Sequence, residues 1–342
     1  MSMSFTRSAA LAGAAALAFM LSACTGEAPE PSPSPTQASP SASPAATEAA
    51  LPAPGDCLGS FVTNPITGRQ DTNVADIVDC TTPNASMVFA VLEVDSALLS
   101  DDPSADYVAL QTEGSALYDT YQRWRADACQ AAELEITGAD SLEFNGKSGP
   151  EAVPQLYGRF LPDATLTTPE QWAAGHHDVV CSVYWADDRG TPFQMTFDGP
   201  LDPAALYTAA FPADVRMCFN FEQWAIVTCD QPHWTEFVAI LDADAILGTD
   251  VTAQMAPDAN GVMNDDDVAV LDDLCRPVIP WATGSDDTDA YRSIGHASAT
   301  GWGSEGKSLV YCGVSIMASL DYDTVGSLVG IGDGSPELVP VS

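Results

Sequence analysis

The chain contains the same pattern of apolar and polar positions twice. Residues 80–92 place a short apolar run behind a Cys-x-x-Pro sequence, and residues 229–241 do the same at the same spacing. The two segments align without a gap. Because an apolar run with no polar alternation is typical of a strand buried on both faces, the pattern predicts a duplicated unit with one such strand in each copy.

Each copy also contains one helical pattern near its third cysteine. In the first copy, apolar residues recur every three or four positions and define one stripe, as expected of an amphipathic helix: Leu117, Tyr121, Trp124 and Ala128. In the second copy, Asn264 is a typical N-cap, and the acids 265–267 fall in the first turn, where the helix dipole favours negative charge. The face of this helix predicted to be buried comprises Val268, Leu271, Leu274 and Cys275.

Each copy closes on another apolar run, at residues 179–185 and 309–317. In the first copy, residues 187–190 carry turn-forming residues and lead into the alternating segment 193–197. This combination predicts a β-hairpin with one solvent-exposed face. The order in each copy is therefore strand, helix, strand, with hairpins.

The nine cysteines divide into one plus four plus four, which matches the duplication. In each copy the first two cysteines flank turn-rich loops, the third lies on the helix and the fourth lies on the closing strand. If each copy folds alone, few pairings remain, and we expect Cys57–Cys80, Cys129–Cys181, Cys218–Cys229 and Cys275–Cys312. Metal thiolates are the alternative, but there is no Cys-x-x-Cys pair and the histidines are scattered, whereas zinc sites use close ligand pairs. We therefore expect no metal and no cofactor.

These patterns predict the α+β class with two tandem repeats, each a mainly antiparallel sheet with a packed helix and two disulfides. The predicted boundaries are 55–205 for repeat 1 and 206–320 for repeat 2. Residues 321–342 are rich in Gly and Asp and have no periodicity, so they are predicted to be a flexible tail.

The N-terminus has the layout of a secretory signal, with Arg7 ahead of the apolar stretch 9–23. That stretch is shorter than the roughly 20 residues of a transmembrane helix. Residues 21–24, Leu-Ser-Ala-Cys, resemble a bacterial lipobox. The resemblance implies that residues 1–23 are a lipoprotein signal peptide, and that Cys24 carries acyl chains such as palmitate and anchors the protein to the extracytoplasmic face of the cell membrane. Ordinary secretion with a free cysteine is the alternative.

Residues 24–54 are almost entirely Pro, Ser, Thr, Ala and Glu. A segment of this composition buries too little apolar area to offset the entropy of ordering it. We therefore predict a disordered tether between the membrane and the folded repeats.

The formal net charge of −37, with only eleven Lys plus Arg, restricts the partners. Nucleic-acid binding requires clustered cations that displace counterions from phosphate, so we exclude nucleic acid. The classes of partner that the charge still allows are a protein or a component of the cell wall. The protein would contact the membrane through its lipid anchor.

Candidate catalytic groups are few. His176, His177 and Asp178 form the cluster that a hydrolase would use, although adjacent residues of a strand point to opposite faces. Ser304 lacks the Gly-x-Ser-x-Gly spacing of a nucleophile elbow. Asp258, Asn260 and the acids 265–267 resemble a calcium loop but do not follow the EF-hand order, so only weak calcium binding is an alternative there. We predict no catalytic residue.

The motifs around the first two cysteines of each copy resemble the septum-formation domain of actinobacterial envelope proteins. They are the Gly-Asp-Cys at residues 55–57, the Cys-x-x-Pro that ends at Pro83, and the Cys-Asp-Gln-Pro-His-Trp-Thr-Glu-Phe-Val-Ala at residues 229–239. The motif residues of the second copy are Pro232, His233 and Glu236. The resemblance covers roughly residues 55–320 as two copies.

The two copies depart from the family pattern in different places. The first copy has Asn84 and Met87 where the pattern has His and Glu, and the second has Arg216 and Met217 in place of Gly-Asp. The resemblance implies a link to septation but no reaction or ligand.

The sequence therefore predicts a lipid-anchored surface protein with two non-catalytic modules that bind a protein or envelope partner, with a role in septum formation or cell division. Two alternatives remain open at this point. One is an extracytoplasmic hydrolase that uses the region 176–178. The other is a small-ligand binding protein with its site in a cleft between the repeats.

Overall fold

The computed structural model describes residues 50–340, except 188–189, 209–210, 221, 224, 256–262, 286–289, 298–301, 303–306, 318–321 and 333. The predicted signal peptide, the lipidation site Cys24 and most of the tether lie outside the described residues. Among the helices of the described ranges, none combines the length and the apolarity needed to cross a bilayer.

The strands are β1 Cys57–Leu58, β2 Phe61–Thr63, β3 Gln70–Thr72, β4 Ile77–Val78, β5 Ser86–Glu93, β6 Gln155–Leu156, β7 Phe160–Leu166, β8 Asp178–Trp185, β9 Met217–Asn220, β10 Ala225–Thr228, β11 Thr235–Asp242, β12 Tyr291–Ala297, β13 Leu309–Ile316, β14 Tyr322–Val325 and β15 Glu337–Pro340. The α-helices are α1 Pro103–Ala109, α2 Tyr118–Ile136, α3 Pro169–Ala173, α4 Ala243–Leu247, α5 Thr249–Thr252, α6 Asp265–Cys275 and α7 Val278–Thr283. Short 3-10 helices span Ser96–Leu98, Ala139–Ser141, Gly149–Glu151, Pro203–Tyr207 and Ala213–Val215.

Two antiparallel sheets have the same strand order. The first sheet is β4-β1-β5-β8-β7, and the second is β10-β9-β11-β13-β12. Each central strand also has a register shift at the same place, between Val88 and Ala90 in β5 and between Phe237 and Ala239 in β11. The predicted α+β class with two sheet-based regions is confirmed.

Four disulfides, two in each region, join the strands and helices: Cys57–Cys80 and Cys129–Cys181 in the first, Cys218–Cys229 and Cys275–Cys312 in the second. They are the pairs expected from the repeat. In each region one disulfide closes the start of the sheet, and the other ties the long helix to the last strand. Disulfide-rich folds of this kind are typical of extracytoplasmic proteins.

The two predicted helices are present, with one difference in packing. Helix α2 buries Tyr121 and Cys129, and the Asn264 side chain caps α6 by accepting a hydrogen bond from the Asp267 N–H. The prediction that Val268 is buried was wrong, because 38% of this residue is exposed. Helix α6 approaches the edge strand β12 closely one turn later, where Gly295 lies against the Leu271 backbone.

The segment after the last strand of each region returns to the start of the central strand. In the first region Met195 pairs with Asn84, with N···O distances of 2.8 and 2.9 Å. In the second region Thr324 pairs with His233 in the same way, at 2.9 and 2.8 Å. The predicted hairpin return after β8 is present, because Ala186 bridges Pro192 and the Phe193 N–H donates to the Trp185 carbonyl at 3.0 Å, but residues 193–197 do not form a regular strand.

The prediction that residues 321–342 form a flexible tail was wrong for the described part of that segment. Strands β14 and β15 pair along four residues, and Leu328 and Val329 are buried. Backbone pairing and hydrogen bonds to the buried Glu236 carboxylate hold this segment in place. Neither requires an apolar stripe, so the sequence shows no periodic pattern there.

The two sheets share one apolar core. Strand β6 lies in the range predicted as repeat 1, yet it pairs with β11 of the second sheet. The Trp281 indole N–H on α7 donates to the Thr137 carbonyl at the end of α2, at 3.0 Å. Each disulfide thus lies within one region, whereas the apolar core and the strand pairing extend across both.

Candidate binding cleft

The outer face of the first sheet, opposite α2, is covered by the chain itself. Strands β2 and β3 form a hairpin that folds over this face and contributes Val74 to a small cluster with Leu58, Val88 and Val180. The last three are fully buried. The Thr72 hydroxyl at the end of the hairpin donates to the Asp163 carboxylate at 2.6 Å.

The same face of the second sheet has a different surface. The strand registers place Phe219, Phe237 and Tyr311 at the positions of Leu58, Val88 and Val180. These three aromatic side chains are only half-buried. The link between the first two cysteines spans 11 residues in this region and 23 in the first, so it is too short to supply an equivalent hairpin.

The open face forms a cleft with a volume of about 460 Å³. Its walls are mainly aromatic and apolar side chains from this face of the sheet, from α6 and from the residue after β6: Tyr157, Phe219, Ile226, Trp234, Phe237, Val268, Ile294 and Tyr311. The Tyr157 and Tyr311 rings meet edge to face with their centres 5.3 Å apart. A concave, mostly apolar site of this size is typical of ligand and peptide binding sites.

Two charged side chains lie in the cleft. The Arg292 guanidinium carbon lies 4.8 Å from the centre of the Trp234 ring, a cation–π arrangement. Asp272 of α6 accepts the Gly295 N–H at 2.7 Å. Burial raises the pKa of Asp272, and the Gly295 hydrogen bond and the Arg292 charge act in the opposite direction. The cleft therefore combines aromatic walls with one cation and one carboxylate.

The motif histidine is a buried structural residue. His233 is fully buried, and its ring Nδ1 lies 2.8 Å from the Gln231 carbonyl, so Nδ1 carries the proton and donates. Burial lowers the pKa of His233 to about 4, which keeps the ring neutral. A ring nitrogen of His233 and the sulfurs of Cys218 and Cys229 lie within 4.8 Å of one another. Because both sulfurs are in a disulfide, this group offers no thiolate to a metal ion.

The motif glutamate holds the C-terminal segment. Glu236 is fully buried, and its carboxylate accepts hydrogen bonds from the Leu328 N–H at 2.6 Å and the Ser327 hydroxyl at 2.9 Å. Burial raises its pKa, while the charge of Arg216, itself buried, opposes that rise. The prolines Pro83 and Pro232 are exposed just before the central strands.

The predicted hydrolase cluster lies elsewhere, at the start of β8. The His177 ring packs against Trp172 with the ring centres 4.6 Å apart, and burial raises the pKa of Asp178. Ser304 and residues 258 and 260 lie outside the described residues. The acids 265–267 form the first turn of α6, as predicted.

Sequence reasoning missed the cleft, although the aligned repeats contained a signal for it. Val88 aligns with Phe237, so an aromatic residue replaces a buried aliphatic one. The shorter link between Cys218 and Cys229 gave the second indication.

A family model described as septum formation matches residues 153–312. The matched range includes the last two strands of the first sheet and most of the strands of the second. The interpretation as two tandem family copies stays a prediction. No curated protein and no solved structure matches the chain.

Proposed function

We propose that the chain is a non-catalytic lipoprotein of the outer surface of the cell membrane, anchored through Cys24, and that its septum-formation domain binds another envelope protein through the aromatic cleft. The occupant is an extended apolar segment of that partner. From the family match we infer that the protein contributes to septum assembly.

The observation that carries the proposal is the difference between the two equivalent sheet faces. Leu58, Val88 and Val180 are shielded from water by a hairpin of the same chain, whereas the aromatic residues at the equivalent positions are not. Contiguous exposed aromatic surface is typical of interaction sites. Since a β-hairpin with Val74 at its end covers the first face, the equivalent open face of the second sheet has the shape and chemistry to accept an extended segment from a partner.

The non-catalytic assignment is supported by the placement of the motif residues. His233 and Glu236 lie inside the protein, where they hold the C-terminal segment against the sheet. His177 packs against Trp172, and its pair Asp178 is in a strand ladder with Glu93.

Photo-crosslinking tests the cleft, and the duplication supplies a matched control. Ile226 lines the cleft, and Ile77 occupies the equivalent position on the covered sheet; each is 39% exposed. A photoreactive residue is introduced at one position or the other in dividing cells, and the cross-linked peptides are sequenced. We expect one envelope protein, joined through a defined apolar segment, at Ile226 but not at Ile77, and loss of the product when Phe237→Ser is added.

Two results would overturn the proposed partner. The same products at both positions would mean that the cleft has no special role. Cross-links at Ile226 to lipid or small molecules alone would instead favour the small-ligand alternative.

Membrane fractionation tests the anchor. We expect Cys24→Ser to leave an unanchored protein or an unprocessed precursor, because the sulfur that carries the acyl chains is lost. Full membrane retention of a correctly trimmed Cys24→Ser protein would contradict lipidation at this residue.

A further inference from the structure

The charged groups of the cleft specify the ligand further. Arg292 lies on the outer face of the edge strand β12, at the position that Leu161 occupies in the first sheet. The fold therefore accommodates an apolar residue at this place. The second sheet has a cation there, in a chain with only eleven Lys plus Arg and a net charge of −37.

The Arg292 side chain is held in place but is not satisfied. Its guanidinium stacks on Trp234, and its Nε is buried with no hydrogen-bond partner in the described part of the chain. Asp272 does not take this role, because its Oδ1 accepts the Gly295 N–H and no ion pair joins it to Arg292 among the described residues. Leaving a buried donor without an acceptor is unfavourable, so the guanidinium gains when an acceptor enters the cleft.

Arginine on an aromatic ring is well suited to a carboxylate. The guanidinium is planar, keeps its charge and presents donors in a fork that matches two carboxylate oxygens. The carboxylate that lines the cleft, Asp272, has its Oδ1 engaged by the Gly295 N–H. The negative net charge repels anions at long range, so the attraction is a local property of the cleft.

We propose that the cleft recognises a carboxylate attached to an aromatic or branched apolar body, which in a partner protein is an acidic residue next to an aromatic one. Arg292 binds the carboxylate, while the aromatic walls bury the body. This inference rests on the proposed function, since it specifies the segment that the cleft binds.

The test uses three probes with the same apolar body and different charges: 4-phenylbutyrate, 4-phenylbutanol and 4-phenylbutylamine. Binding to the purified mature protein is followed by tryptophan fluorescence and by NMR shifts of the cleft residues. We expect the acid to bind about tenfold more tightly than the alcohol, as for a charged hydrogen bond worth about 1.4 kcal/mol, and the amine to bind most weakly.

Variants assign the preference to one residue. Arg292→Gln should make the acid and the alcohol bind equally, and Arg292→Lys, which keeps the charge but loses the fork, should give an intermediate ratio. Arg276→Gln is the matched control, because Arg276 is an exposed arginine that pairs with Asp273 and does not line the cleft. It should leave the preference unchanged.

Three outcomes would overturn the inference. They are equal binding of the three probes, no binding of any probe, or a preference for the acid that survives in Arg292→Gln. If the Ile226 cross-link persists in such a case, the cleft still binds a partner and only the carboxylate chemistry is wrong. If the cross-link is also absent, the proposed function fails as well.

Discussion

Replacing Glu236 by Met tests whether the motif glutamate stabilises the fold. The side chain is fully buried on β11, and its carboxylate accepts from Leu328 N–H, Ser327 hydroxyl and Val329 N–H at distances of 2.6, 2.9 and 3.3 Å. Methionine is the residue at the equivalent position of the first sheet, Met87, so the substitution is compatible with the strand.

The expected loss follows from the groups left behind. The Leu328 N–H loses its acceptor, at about 1–3 kcal/mol for a buried donor, whereas the Val329 N–H keeps the Ser327 hydroxyl as an acceptor at 3.0 Å. Arg216, which is also buried and already has two guanidinium nitrogens without partners, loses the negative charge nearby. No contact within ion-pair distance joins Arg216 to Glu236 in the described part of the chain, so this loss is smaller than the about 3–5 kcal/mol of breaking a direct buried pair. Because these effects describe the same carboxylate and overlap, we expect Glu236→Met to lower the free energy of unfolding by about 2–3 kcal/mol.

Guanidinium denaturation at pH 7 measures the loss, and hydrogen exchange at residues 327–329 locates it. The exposed Glu337→Met on β15 is the control, with an expected change within about 0.5 kcal/mol. The double variant Arg216→Met/Glu236→Met should recover part of the loss, because it removes the unpaired buried cation. A loss below about 1 kcal/mol, or a double variant less stable than Glu236→Met, would refute the reasoning.

Three further substitutions are tested by the same denaturation measurement. Burial lowers the pKa of His233 to about 4 from 6.5, so the wild type should lose up to about 3 kcal/mol of stability as the pH falls from 6.5 to 4. His233→Asn should flatten this dependence, and an unchanged slope would contradict it. Burial raises the pKa of Glu133 to about 8 from 4.5, so stability should fall as the pH rises through this range. Glu133→Gln should then be more stable than the wild type at pH 8 and not at pH 4; equal stability at pH 8 would contradict this. Gly295→Ala should lose about 1–3 kcal/mol, because its Cβ would overlap the Leu271 backbone; an unchanged midpoint would show that α6 moves freely.

Much of the fold was predictable because the informative features are local in sequence. The gapless alignment of residues 80–92 with 229–241 sets which positions of β5 and β11 are equivalent, since strand side chains alternate with a period of two. Asn264 predicted the start of α6 correctly for the same reason, because its side chain caps the helix through the Asp267 N–H, only three residues away. Val268 was misplaced because its exposure depends on where α6 meets the edge of the sheet.

The C-terminal segment shows why other features were missed. Glu236 and Leu328 are 92 positions apart, and a hydrogen bond between a side chain and a distant backbone N–H leaves no periodic trace in either segment. The burial of the motif residue His233 likewise depends on a distant segment, because the strand that returns over it carries Thr324, 91 positions away.

The sequence by itself determined the duplication, the disulfide pairs and the α+β class, because cysteine spacing and apolar periodicity are set by covalent connection and local geometry. Only the tertiary structure decided which sheet face is covered. Phe237 and Val88 are both apolar residues of a central strand, and their different exposure depends on whether a hairpin elsewhere in the chain folds over them. Within the described residues, the first sheet has a long-range contact over this face and the second sheet does not, and that difference defines the cleft.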